Sequence, residues 1–281
     1  MEHNPTHRAL ALVGPGRAGT ALALALGRHG WSTRAVAGRT PEHPSTVTTA
    51  ARLGAIAVAV EDAGRGCDLV VLATPDAAVA DVAARVAPSL PPGALVVHLS
   101  GALGVDALAG LARRRPDVAL GALHPLQSLP TPDAGAARLP GSWCAVEGPD
   151  EVRALAELVG MRPFTVGSGS RPTYHAAACV ASNHLVALLG QVERLARDAG
   201  VPFEAFLPLV RASVENVDEL GPAAALTGPV ARGDASTVAA HLDALSDEER
   251  AAYRAGALAA LRLAGRDDDL GLSAVLSGTP A

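Results

Sequence analysis

The chain contains no lysine. All 23 of its basic residues are arginine, so no ε-ammonium is available to form a Schiff base or to serve, with its pKa lowered by burial, as a proton donor. Arginine does not readily release its proton, which leaves acid–base work to His, Asp, Glu, Tyr, Cys or water. Cysteine is scarce. Cys67, Cys144 and Cys179 are scattered without CxxC spacing, so neither a disulfide framework nor a metal site is expected, and they read as buried apolar positions. Aromatic residues make up 2% of the chain, too few to favour stacking on a flavin or related deazaflavin. No basic run exceeds Arg113-Arg114-Arg115 and the net charge is -5, which argues against a nucleic-acid partner. Met1 to Arg8 is polar, and glycine, proline or histidine breaks every uncharged stretch well short of a span. A cytoplasmic protein with no membrane partner is the expectation.

What is present is organised. At 281 residues and 49% hydrophobic, the chain can build a real core in one large domain or two modest ones. The apolar run Ala9 to Val13 leads into Gly14-Pro15-Gly16-Arg17-Ala18-Gly19 and then the alanine–leucine stretch Thr20 to Leu26. This reads as strand, glycine turn and helix, the setting a dinucleotide fingerprint requires. The first glycine permits the turn, the second lets backbone approach a pyrophosphate, and the third packs helix on strand. Twenty residues on, the next strand, Thr33 to Ala37, ends in Gly38-Arg39-Thr40. An acid there would take a ribose 2′-hydroxyl, whereas an arginine favours a 2′-phosphate, so the expected cofactor is NADP, held by Arg39 and Thr40.

Strand and helix signals alternate through the first half: strands near Ile56 to Val60, Asp68 to Ala73, Leu95 to His98 and Val118 to His124, with helices over Pro44 to Leu53, Ala77 to Val86 and Val105 to Arg114. Continuous apolar strands of this kind predict a parallel sheet covered on both faces. Two more strands, Ser142 to Glu147 and Phe164 to Val166, flank a helix from Pro149 to Val159. At Gly167 to Pro172 the character changes. One long helix is predicted from Pro172 to Ala199, followed by helices over Phe203 to Leu220, Ala235 to Leu245 and Asp247 to Ala264 and a loose tail from Arg266. The reading is an α/β Rossmann doubly wound parallel sheet over residues 1–168, then an all-α domain over 169–281 for substrate and dimerisation.

In open α/β sheets ligands lie off the carboxyl ends of the strands. Three segments are placed there. Thr74-Pro75-Asp76 is expected beside the cofactor's nicotinamide ribose. His98 to Ala102 brings Ser100 and the Gly101 backbone, and His124 to Ser128, read as following its strand, brings an imidazole, the Gln127 amide and a hydroxyl together. In the helical half, 100° per residue places His175, Cys179 and Ser182 along one stripe, with Asn183 about 80° away and His184 opposite. Small residues around them suit either a packed helix pair or a substrate-facing wall. In Leu226 to Asp234, Arg232 could clamp a carboxylate, while Asp234 reads as a helix cap.

The order GPGRAGTAL, LATPD, HLSGALG, LHPLQSL, YHAAACVASNHLVAL and ALTGPVARGD resembles a family of short Rossmann-like NAD(P) oxidoreductases with a helical C-terminal domain. That family is similar in plan to pyrroline carboxylate reductases, 3-hydroxyacid dehydrogenases and ketopantoate reductases. The resemblance implies a nicotinamide cofactor in the first domain and dimerisation through the second. His124-Pro125 also resembles the His-Pro motif of prephenate dehydrogenases, in which the histidine faces the reacting oxygen. The chain departs from the lysine-bearing relatives: Asn183 matches their asparagine, but Cys179 stands where the lysine would be. The expected activity is an NADP-dependent reductase acting on a small carboxylate-bearing carbonyl or imine, such as a ketopantoate-like 2-oxo acid. Its expected residues are His124 as proton donor or orienter, Ser100 and Asn183 on the reacting oxygen, Gln127 toward the substrate, Arg232 or Arg171 on its carboxylate, and His175 in reserve. A cofactor-binding sensor or scaffold without turnover is the other reading, and a homodimer is expected in either case.

Overall fold

The computed structural model describes residues 8–277. Among them eight strands form one sheet: β1 (Arg8–Val13), β2 (Trp31–Ala37), β3 (Ile56–Val58), β4 (Leu69–Leu72), β5 (Leu95–His98), β6 (Ala119–Leu126), β7 (Trp143–Glu147) and β8 (Arg162–Phe164). Their order is β3-β2-β1-β4-β5-β6-β7-β8, the doubly wound arrangement with its switch point between β1 and β4. The first six strands run parallel, but β7 pairs antiparallel with β6.

Period-two alternation divides each central strand between two apolar layers. Leu10, Leu12, Leu69, Val71, Leu95 and Val97 face one layer, in which they meet α1 (Arg17–Gly27), α5 (Pro132–Arg138) and α6 (Asp150–Leu158). Ala11, Val13, Val70, Leu72 and Val96 face the other, against α3 (Val79–Val86) and α4 (Ala109–Arg114). Burial on both faces is why these strands read as unbroken apolar runs, and each fully buried Leu or Val contributes about 1.5–3 kcal/mol. The helix α2 (Pro44–Leu53) matches its predicted bounds, with proline in its first turn and left-handed Gly54 at its end. The short α5 was not predicted. It lies against α1 closely enough that a Cβ on Gly135 would come 2.8 Å from the Ala21 methyl.

The chain divides into two compact units between Asn183 and His184. The expected single helix from Pro172 is in fact α7 (Arg171–Cys179), a π-helical segment Val180–His184 and α8 (Leu185–Asp198). The 100° spacing that put Cys179, Ser182 and Asn183 in a fixed angular relation therefore fails across that segment. The second unit continues with α9 (Leu207–Leu220), α10 (Pro222–Ala225), α11 (Pro229–Arg232), α12 (Ala235–Ala244), α13 (Asp247–Leu263) and α14 (Leu270–Ser277). Its core gathers Val230, Val238, Leu242, Ala257, Leu261, Leu272 and Leu276. The last of these helices corrects the expectation of a loose tail up to Ser277; the remaining tail residues lie outside the described ones. Arg194 on α8 pairs with buried Glu249 on α13, whose backbone carbonyl accepts from the Gln191 amide. No helix among the described residues is long and apolar enough to cross a membrane.

Candidate functional site

The glycine turn sits at the carboxyl end of β1, and two of its three glycines are required by their surroundings. Gly14 has φ +95°, and a Cβ there would lie 2.5 Å from the Ala73 carbonyl oxygen. At Gly19 an added Cβ would lie 2.6 Å from both the Ala73 methyl and Leu12 Cδ1, so helix and strand close on each other there. Gly16, by contrast, has open space: an added Cβ would meet nothing within 4 Å. Gly16 caps α1 without a side-chain cap, and no acid occupies the first turn. The free N–H groups of Arg17, Ala18 and Gly19 thus present an uncontested positive helix end. Pro15 is half-buried, and across the switch point the Thr74 hydroxyl oxygen is buried without a hydrogen-bond partner beside exposed Pro75. Arg39 and Thr40 are exposed past β2, and Arg39 takes no acidic partner among the described residues. Its loop is anchored through Gly38, where a Cβ would fall 2.1 Å from Thr46 Oγ1 of α2.

A second cluster lies past β5 and on β6. His98 is fully buried; its Nε2 shares a hydrogen bond with the Gly104 carbonyl at 2.9 Å, and its Nδ1 accepts from the Ser100 N–H at 3.3 Å. Ser100 Oγ accepts from the Ala102 and Leu103 N–H groups at 3.2 and 3.0 Å. It forms the turn and keeps its own hydroxyl proton to donate. The strand does not end at His124 as expected: β6 runs on to Leu126 and pairs His124 with Ala145 of β7. Its Nδ1 lies 2.7 Å from the Tyr174 hydroxyl, the two rings meeting edge to face at 5.6 Å and 86°. His175 lies edge to face with His124 at 6.0 Å. Glycine at 101 makes this grouping possible, since a Cβ there would come within 2.8 Å of His124 Nε2 and His175 Cδ2. Burial, then the neighbouring His175 and Arg171, push the His124 pKa down to about 4, so the ring is uncharged at neutral pH. Burial raises the Tyr174 phenol to about 12.

Arg171, expected as an alternative carboxylate anchor, is instead 1% exposed and paired with Glu147 at the end of β7. Gln127 is exposed, its side-chain oxygen accepting from the Ser128 N–H. Asn183 is exposed in the π-helical segment, and Cys179 is half-buried at the end of α7. In the second unit, exposed Arg232 ends α11, and Asp234 caps α12 as expected, accepting from the Thr237 N–H at 3.0 Å. Hydrogen bonds from Thr237 and Ser236 hold its carboxyl down at about 2. Tyr174 and Gly101's steric role escaped the sequence reading. A tyrosine adjoining His175, two residues after the predicted helix-starting Pro172, was the available signal.

Residues 2–125 match the family described as a Rossmann-like domain, and residues 142–260 match a domain of unknown function, DUF2520. The second of these takes in β7, β8 and α7 as well as most of the helical unit. Among curated proteins, D-apionate oxidoisomerase from Cupriavidus necator is 34% identical over 119 residues, 38% of this chain and 42% of that protein. The match thus spans less than half the length of that relative. Among solved structures, a candidate NADP oxidoreductase from Bacteroides fragilis has a TM-score of 0.78 at 24% identity, covering 92% of this chain and 98% of that one. A reductive aminase from Aspergillus terreus, in complex with NADPH and ethyl levulinate, has a TM-score of 0.58 at 21% identity, covering 96% and 92%.

Proposed function

We propose that the protein is an NADP-dependent oxidoreductase that reduces a small carboxylate-bearing carbonyl or imine, a ketopantoate-like 2-oxo acid among the candidates. The observation that carries this reading is the pairing of an open glycine cradle and an orphaned Thr74 hydroxyl with an uncharged, half-buried His124 on the same sheet. The residues fit a dinucleotide. Gly14 to Gly19 would take the pyrophosphate on the α1 N-terminus, Thr74 and Pro75 would border the nicotinamide ribose, and Arg39 with Thr40 would take the 2′-phosphate. The nicotinamide, when bound, supplies the hydride. His124 then acts on the reacting oxygen or nitrogen as proton donor or orienter, Ser100 and Asn183 are further contacts to it, Gln127 borders the substrate and His175 is held in reserve. With Arg171 engaged by Glu147, Arg232 is the candidate carboxylate anchor. The NADP and NADPH named for the Bacteroides and Aspergillus proteins support the cofactor, and the name of the Cupriavidus relative supports a carboxylate substrate.

The test is fluorescence titration with NADPH and NADH, followed by ketopantoate, pyrroline carboxylate and other small 2-oxo acids while absorbance is monitored. Tight NADPH binding with turnover of one substrate sustains the reading; binding with no turnover of any carbonyl or imine favours a sensor or scaffold. Exchanging Arg39 for Asp is expected to weaken NADPH binding by roughly 10–100-fold, the loss of one charge-assisted hydrogen bond of about 1.5–3 kcal/mol, and to favour NADH. Unchanged NADPH affinity would remove Arg39 from the site.

A homodimer is proposed as well. Residues 211–220 of α9 are exposed throughout, although Val214, Val217 and Leu220 fall on one helical stripe at 55%, 44% and 59% exposure. Leu185, Val186 and Leu188 of α8 are also exposed. Sedimentation is expected to give twice the 28.2 kDa chain mass, and Val217→Glu to shift it toward the monomer. A monomeric wild-type protein at micromolar concentration would refute this.

A further inference from the structure

We infer that Tyr174 is the positioning residue that fixes the tautomer of His124, so that the imidazole faces the substrate as an uncharged Nε2–H donor; this rests on the functional reading of His124 above. The argument is one of counting protons and partners. A neutral imidazole carries one ring proton, and its Nδ1 is 2.7 Å from the Tyr174 hydroxyl. Two arrangements satisfy that distance. In one, the phenol donates to Nδ1 and the ring proton is on Nε2. In the other, Nδ1–H donates to the phenolic oxygen, and the phenol's own proton then needs a second acceptor. None is present among the described residues, and the faces of Tyr174 that are covered meet the rings of His124 and Phe164. The second arrangement leaves two groups without a protein partner, the phenol proton and the Nε2 lone pair, whereas the first leaves one, and this disfavours the second.

The first arrangement leaves only Nε2–H without a protein partner. That nitrogen lies against Gly101, at the position where any larger residue would cover it. One framework holds the pair. The β6–β7 ladder that carries His124 also carries Glu147, which pairs with Arg171 three residues before Tyr174 on α7. One pair of strands therefore sets both the imidazole and the helix turn that presents the phenol. The ring of Phe164, on β8, closes on Tyr174 at 5.8 Å. Since burial keeps the imidazole unprotonated down to about pH 4 and the phenol protonated up to about pH 12, this single arrangement spans the physiological range. His124 then orients and polarises the substrate's oxygen through a hydrogen bond and does not cross the site as imidazolium. The product oxygen takes its proton from water.

The test is nitrogen-15 NMR of histidine-labelled full-length protein, with His124 assigned from the signals lost in His124→Asn. The expected wild-type spectrum has Nε2 protonated and Nδ1 as a hydrogen-bonded acceptor, unchanged between pH 5.5 and 9. In Tyr174→Phe the Nδ1 signal is expected to lose its hydrogen-bond shift and the two nitrogens to average between tautomers. With that change, kcat should fall roughly tenfold while KM and NADPH affinity stay in place. Protonated Nδ1 in the wild type, or a tautomer indifferent to Tyr174→Phe, would overturn the inference. Failure of the underlying reading looks different: His124→Asn would retain full turnover whatever the tautomer.

Discussion

Replacing His124 with Asn is expected to lower kcat by about 10²–10³-fold while leaving NADPH affinity unchanged. That is the magnitude associated with removing one preorganised donor from the developing charge of a transition state. The imidazole is suited to this role because its surroundings have removed its charge. Burial, His175 and Arg171 together lower its pKa to about 4, the weaker field of Asp76 opposing them. Stability that depends on the neutral ring is therefore present at neutral pH and lost only as pH falls from the ordinary histidine value of about 6.5 toward 4. The rate profile should show no histidine limb between pH 5 and 8 belonging to this group. Steady-state kinetics with NADPH titration on the same preparation provides the check. Full activity in the Asn variant would dismiss the role, and a parallel loss of NADPH binding would indicate a distorted sheet edge.

Much of the first unit could be read from residue order, because its signals are local. The bounds of α2 are set by Pro44 at its start and Gly54 after its end, and the glycine turn needs only the spacing of its three glycines and the apolar runs on either side. The site is harder because its members are joined by tertiary contacts. Pro125 reads as the end of a strand, since it lacks an N–H for a ladder. Yet β6 continues past it, with Pro125 in register with Cys144 of β7, in a stretch where β5 no longer pairs with β6 beyond Ala122. That is why the expected strand stops at His124 when it runs on to Leu126. The segment Val180–His184 carries no residue type that distinguishes i→i+5 from i→i+4 bonding, so a 3.6-residue period was carried through it. The tail composition hid α14, whose Leu272 and Leu276 are buried in the helical core. Tyr174 was passed over because a residue's partner 50 positions away has no local signature.

Exchanging Glu147 for Gln is expected to destabilise the first unit by about 3 kcal/mol. Arg171 is 1% exposed, and its compensation is concentrated in one oxygen: Nε lies 3.0 Å and Nη2 2.9 Å from Glu147 Oε2. The Nη2 contact is an ion contact in poor hydrogen-bond alignment, and Nη1 has no partner among the described residues. Removing the carboxylate charge would leave a buried guanidinium without a counter-charge, a loss that typically costs 3–5 kcal/mol. The lower end applies because the Glu147 side chain is 27% exposed and shares its field with solvent. For a unit of this size the melting temperature should fall by roughly 6–12 °C, as calorimetry or circular dichroism would record. The double variant Glu147→Gln/Arg171→Met should recover much of the loss, because it removes the orphaned charge along with its partner. A melting temperature unmoved by Glu147→Gln would mean that solvent already reaches the Arg171 guanidinium. The anchor of α7, and with it the fixed relation of Tyr174 to His124, would then have to lie elsewhere.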